Sequence, residues 1–248
     1  MDINLIIEKF VQKWKSEKNV EGILLTGSYA TGLQMKDSDI DFRIILNNNG
    51  QKFIKGVEII EEKQISFLGS SIDDVYKMFD NQLYLFSKFQ ARIFCTGKIL
   101  FDKSGKLELL KNEAKDIMSK PFRKLSETEI KMELYATCKL KDELLKNKGY
   151  QFDLNYYLFL NKIFLVYSKI LKIEIIHPGC FKLDSYFFDS NFRNKYMINK
   201  FPDKNFISIY VNALKQKTTK EKRNSLKSLW DLLQKNNKTD FNNFLIVK

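Results

Sequence analysis

The sequence predicts an α+β chain, with a mixed sheet and flanking helices over residues 1–120 and an all-helical half over residues 121–248. Three observations lead there. Up to about residue 70, apolar residues switch between helical spacing and strand alternation. Beyond Pro121 only helical spacing recurs. The length, 248 residues with 44% hydrophobic and 29% charged content, suits one or two globular domains with a sizeable core.

Taken in order, Ile3, Ile6, Ile7, Phe10, Val11 and Trp14 recur at helical spacing and predict an amphipathic first helix. Residues 19–22 end it. A first strand is expected over 22–26 and a second over 39–46, with a Gly-Ser turn and a short helical segment between them. Asn47-Asn48-Asn49-Gly50 is a turn by composition. Strands over 53–60 and 64–68 follow, with Glu61-Glu62-Lys63 at the hairpin tip. Ser71, with Asp73 and Asp74 behind it, starts a helix, because its side chain caps free amides and acids suit the positive helix end. Helical patterns then cover 81–94 and 106–118. After Pro121, Ser126-Glu127-Thr128-Glu129 matches a capping box opening a helix to about Lys146. Another is expected over 153–171. His177-Pro178-Gly179 breaks that pattern, and shorter helices follow, with loops at Pro202 and near Lys217.

The composition excludes several classes. No apolar run reaches the roughly 18 residues of a membrane span, and the N-terminus does not resemble a signal peptide. Cys95, Cys138 and Cys180 are scattered without metal-ligand spacing, and a cytoplasmic protein with reduced thiols is the simplest expectation. The lone histidine, His177, excludes multi-histidine metal sites. The net charge of +12 comes from lysines spread along the whole chain, which favours a composition bias over a functional basic surface, because a nucleic-acid footprint needs clustered charge. A positive field of this kind would still attract a triphosphate.

The chemistry concentrates at Gly27-Ser28 and Asp39-Ile40-Asp41. A Gly-Ser turn meeting a helix start is a place for phosphate. Alternation along the second strand puts Asp39, Asp41 and Arg43 on one face and Ile40, Phe42 and Ile44 in the core. A turn role explains Asp39 in part. It explains Asp41 poorly, because an acid within an apolar strand needs a partner or a metal. Paired carboxylates bind divalent cations.

Gly27-Ser28, a ten-residue spacer (29–38) and Asp39-Ile40-Asp41 resemble the nucleotidyltransferase superfamily, of DNA polymerase β-like fold. The order of elements is similar to the stand-alone bacterial aminoglycoside and lincosamide nucleotidyltransferases with a helical C-terminal domain. The resemblance implies in-line attack on the α-phosphate of a nucleoside triphosphate co-substrate. Asp39 and Asp41 would be catalytic and hold Mg²⁺, in a one- or two-metal site. Gly27 and Ser28 would bind the nucleotide. Arg43 would touch phosphate or pair with the aspartates.

The resemblance also implies a third carboxylate on the neighbouring strand. Aligning 63–68 on its apolar residues puts Gln64 at that position, or Glu62 after a register shift; Glu133 of the helical half is a further candidate. Three functional expectations follow. The first is transfer of a nucleoside monophosphate to a hydroxyl of an antibiotic-like small molecule, releasing pyrophosphate. The second is the same chemistry on a protein or RNA target. The third is a catalytically impaired nucleotide-binding module. The aromatics Tyr150, Phe152, Tyr156, Tyr157, Phe159, Phe164 and Tyr167 are expected mainly in the core. The 181–192 stretch is expected as a lid or a packed loop.

Overall fold

The computed structural model describes residues 2–50, 52–176 and 182–235. His177, Cys180, the break at 177–179 and the first residue of the 181–192 stretch lie outside them. Two compact units emerge: Met1–Pro121 with Pro178–Lys200, and Phe122–His177 with Phe201–Lys248. Of the described residues beyond Pro121, 182–200 fall in the first of these units.

The first unit is a five-stranded mixed sheet between helices. Its elements are α1 (Ile3–Lys15), β1 (Val20–Thr26), α2 (Gly27–Thr31), β2 (Ile40–Leu46), β3 (Phe53–Ile60), β4 (Lys63–Ser71), α3 (Ile72–Gln82), α4 (Phe89–Thr96), β5 (Lys98–Asp102) and α5 (Lys106–Ser119). The strand order is β3-β4-β2-β1-β5. Only the β2–β4 pair is parallel, with Ile40 opposite Ile65 and Asp41 opposite Ser66.

Alternation in β1 and β2 divides the core into two layers. Ile23, Leu25, Ile40, Phe42 and Ile44 meet Ile6, Phe10 and Val11 of α1. Phe10 and Phe42 stack at 4.3 Å between centroids. On the other face, Leu24 and Ile45 pack with Val75 and Phe79 of α3, Phe94 of α4 and Leu110 of α5. The face carrying Asp41 and Arg43 is therefore the face that α4 partly covers.

Two expectations fail locally. The helical pattern over 81–94 is broken: α3 ends at Gln82, a turn follows, and α4 starts at Phe89. Buried Gln82 accepts a hydrogen bond from the Ala91 amide through Oε1 at 3.0 Å, and so serves the start of α4. The reading also lacks β5, whose five residues are too short for a period to register. By contrast, Ser71 caps α3 by accepting from the Asp74 amide.

Lys88 anchors the loop before α4. Its buried ammonium donates to the carbonyls of Met118, at 2.8 Å, and Lys120. These carbonyls close the C-terminal end of α5. Lys88→Met strands them without their charged donor, so urea unfolding should show a loss of about 1–3 kcal/mol.

The second unit contains α6 (Glu127–Lys146), α7 (Gly149–Ile170), α10 (Lys204–Lys215) and α11 (Thr219–Lys235), while α8 (Leu183–Phe188) and α9 (Ser190–Lys195) fall in the first. Ser126 and Glu129 form the expected capping box of α6. Phe152, Tyr156, Phe159, Phe164 and Tyr167 are buried, whereas Tyr150 and Tyr157 are exposed. The buried phenols are satisfied: Tyr156 donates to the Ala213 carbonyl at 2.8 Å, and Tyr167 donates to Asp203. Burial pushes the Tyr156 phenol up to about 12. Among the described residues, no helix is long and apolar enough to cross a membrane.

Candidate active site

A cavity of about 510 Å³ opens in the first unit on the α4 side of the sheet. Gly27, Ser28, Asp41 and Arg43 line it together, at the end of β1, the start of α2 and along β2. This volume lies in the range of small-molecule and cofactor sites.

The approach of Gly27 to Asp41 is the tightest feature of the site. Gly27 has φ +65°, and a Cβ there would stand 2.3 Å from Asp41 Oδ2. Only glycine combines that left-handed conformation with the missing side chain. Thr26, the last residue of β1, pairs with Asp41 and donates its hydroxyl to the Asp41 carbonyl at 3.2 Å. Backbone and side chain of Asp41 are thus both located by the turn that follows β1.

Asp39 lies just before β2 and is reached from β4. The Ser66 hydroxyl donates to Asp39 Oδ2 at 2.9 Å. The loop between α2 and β2 is also held by Lys63, which donates to the Lys36 carbonyl at 3.1 Å and lies over the Tyr29 ring.

Burial, and then the neighbouring Asp39 carboxylate, push the Asp41 carboxyl up to about 6, against the pull of Arg43. Burial holds Arg43 below its ordinary value while Asp41 works the other way. Arg43 also meets Gln90 Oε1 at 3.5 Å. The site therefore holds two close acids whose mutual repulsion one guanidinium only partly offsets. A divalent cation at Asp39 and Asp41 would relieve it, and carboxylate oxygens suit a hard ion. Among the described residues there is no group of three or more acid, histidine or cysteine side chains fit for a metal.

The residues expected at the third position, Gln64 and Glu62, do not line the cavity. Gln64 is exposed, pairs with Ile59 and does not line the cavity; Glu62 sits at the hairpin tip with φ 66°. The β4 residue beside the acids is Ser66, opposite Asp41 and lining the cavity. Strand alternation could not separate 64 from 66, since both share a face. The parallel register chooses between them. Glu133, in the second unit, meets Lys162 at 2.6 Å and also Lys169.

The remaining wall comes from residues the sequence reading did not single out. Phe89, Arg92, Ile93 and Thr96 line the cavity from one side of α4, and Tyr196 follows α9. Arg92 is only 2% exposed. The spacing 89, 92, 93, 96 is a helical face, and an arginine within it was the available signal. Lys55 and Val57 of β3 also line it.

Residues 3–95 match the model of the nucleotidyltransferase domain family, and the N-terminal region of the chain is a nucleotidyltransferase domain. Transfer of a nucleoside monophosphate is the general activity of that domain, and it implies a nucleoside triphosphate substrate. A solved structure of a nucleotidyltransferase-like protein from Exiguobacterium sibiricum is similar at 11% identity and a TM-score of 0.48, over 94% of this chain and 75% of that one. No curated protein matches the chain.

Proposed function

We propose that this protein transfers a nucleoside monophosphate from a triphosphate, with Mg²⁺, to a hydroxyl of an antibiotic-like small molecule in the cytoplasm, releasing pyrophosphate. One observation carries the reading: a glycine in left-handed conformation is packed against the half-buried Asp41 carboxylate in a cavity that Arg43, Lys55 and Arg92 also line. Phosphate needs close backbone approach, and glycine permits it.

Asp39 and Asp41 hold the divalent ion, which when bound neutralises charge on the triphosphate. Gly27 and Ser28 cradle phosphate, with the Ser28 hydroxyl and amide as donors. Arg43 and Arg92 face the cavity as fixed positive groups, where they offset charge developing on the leaving pyrophosphate. Ser66 orients Asp39. Lys55 is the lysine lining the cavity. The absence of a lysine cluster among the lining residues supports a small acceptor over an RNA target.

A second reading, a nucleotide-binding module with impaired catalysis, is favoured by Ser66, since a hydroxyl there cannot act as the carboxylate base. Two measurements separate the readings. Thermal unfolding with each triphosphate plus Mg²⁺ should rise by several degrees if the native state binds nucleotide. Pyrophosphate release over a panel of triphosphates and hydroxylated acceptors should then be detectable. A thermal shift without release identifies the binding module. No shift with any triphosphate defeats both.

A further inference from the structure

Strand β3 is at one edge of the sheet, and its two faces are both apolar in part. One face is committed: Ile54 and Ile60 pack on the α1 core, and Glu58 pairs with Lys13 of α1 at 2.9 Å. The other shares the Asp41 side of the sheet and carries Phe53, Val57 and Ile59, exposed at 54%, 63% and 71%. Edge strands usually carry charge on such a face, because an exposed apolar edge invites association. Here Lys55 is the only charged residue among the four.

The register ties this shelf to the acids. Asp41 pairs with Ser66, and Ser66 pairs with Val57, making one row across β2, β4 and β3. Two strand spacings separate its ends, roughly 10 Å. Val57 and Lys55 both line the cavity, so the shelf is continuous with it. A flat molecule lying over Ser66 would rest on Val57 and present a hydroxyl towards Asp41.

We infer that the β3 shelf is the acceptor subsite, and that the acceptor is an uncharged hydroxylated molecule with a flat apolar face. The inference rests on the transferase reading above. Charge decides against a polycation: the lining includes Arg43, Lys55 and Arg92 but one acid, Asp41. Its carboxylate is assigned to the divalent ion, and Glu58 points to the opposite face. The bond formed joins the acceptor oxygen to the α-phosphorus, the α–β bridging bond breaks, pyrophosphate leaves, and the hydroxyl proton passes to solvent.

The test uses saturation-transfer NMR on the full chain with Mg²⁺ and α,β-methylene-ATP, and again without nucleotide. Four probes are compared: benzyl alcohol, glycerol, kanamycin and benzoate. Benzyl alcohol should give the strongest transfer, and Val57→Glu should reduce it at least fivefold in the spectra taken without nucleotide as well as in those taken with it. Val57→Thr, similar in shape, should reduce it less. Benzyl alcohol transfer that ignores Val57→Glu overturns the inference. So does a stronger Val57-dependent signal from kanamycin or benzoate. Failure of α,β-methylene-ATP to bind defeats the nucleotide reading instead, while the probes without nucleotide still judge the shelf.

Discussion

Asp41→Asn should abolish Mg²⁺-dependent nucleotide binding and, in the same protein, raise the stability of the ligand-free state at pH 7. The two effects share one cause. The Asp41 carboxyl titrates at about 6 in the fold, against an ordinary value of 3.8. A carboxyl raised on folding contributes stability that is fully present below the unfolded value and is lost as pH rises through the folded one. Its contribution therefore disappears between about pH 4 and pH 6, leaving the wild type at pH 7 with a half-buried charge beside Asp39. A two-unit shift sets a ceiling of about 3 kcal/mol on what asparagine recovers. The melting temperature of the variant should pull ahead of the wild type over that window and hold its lead above pH 6. In the wild type, divalent-ion affinity should fall as pH drops below about 6, because protons compete for the same carboxylate. A variant that still shifts with Mg²⁺ and nucleotide would remove Asp41 from the site.

Gly27→Ala should cost more than its single carbon suggests. The new Cβ would stand 2.3 Å from Asp41 Oδ2, on a residue at φ +65°. Either the turn opens or the carboxylate swings away, and nucleotide binding should fall by at least about 100-fold, or ~3 kcal/mol. Gly32→Ala supplies the control. Gly32 has φ +75°, but nothing lies within 4 Å of its added Cβ. It should lose about 1 kcal/mol of stability from backbone strain and keep nucleotide binding. Calorimetric titration of both variants separates strain from collision. Equal losses of binding at the two positions would show that the Gly27–Asp41 approach is not what the site depends on.

Much of this arrangement is legible before folding. Gly27, Ser28, Asp41 and Arg43 line one cavity, and the placement of each depends on local geometry: a turn needing glycine, and a strand whose alternate residues share a face. The Ser126–Glu129 capping box and the Ser71 cap were legible for the same reason, since a cap and its partner lie three residues apart. The break between α3 and α4 was hidden, because apolar residues continue through the turn at 83–88. Gln82 stops the pattern by serving the next helix, a contact across nine residues.

The acid pair and the glycine turn were determined by sequence alone, since alternation and positive φ are properties of neighbours in the chain. The occupant of the third position was decided only in the tertiary structure. Gln64 and Ser66 are equivalent by alternation, and the parallel register of β4 on β2 sets Ser66 opposite Asp41 and leaves Gln64 exposed. That register arises from side chains packing between two strands and two helical layers, and no local period encodes it. The same holds for Arg92 and Val57, which reach the cavity from a helix and an edge strand far from the motif.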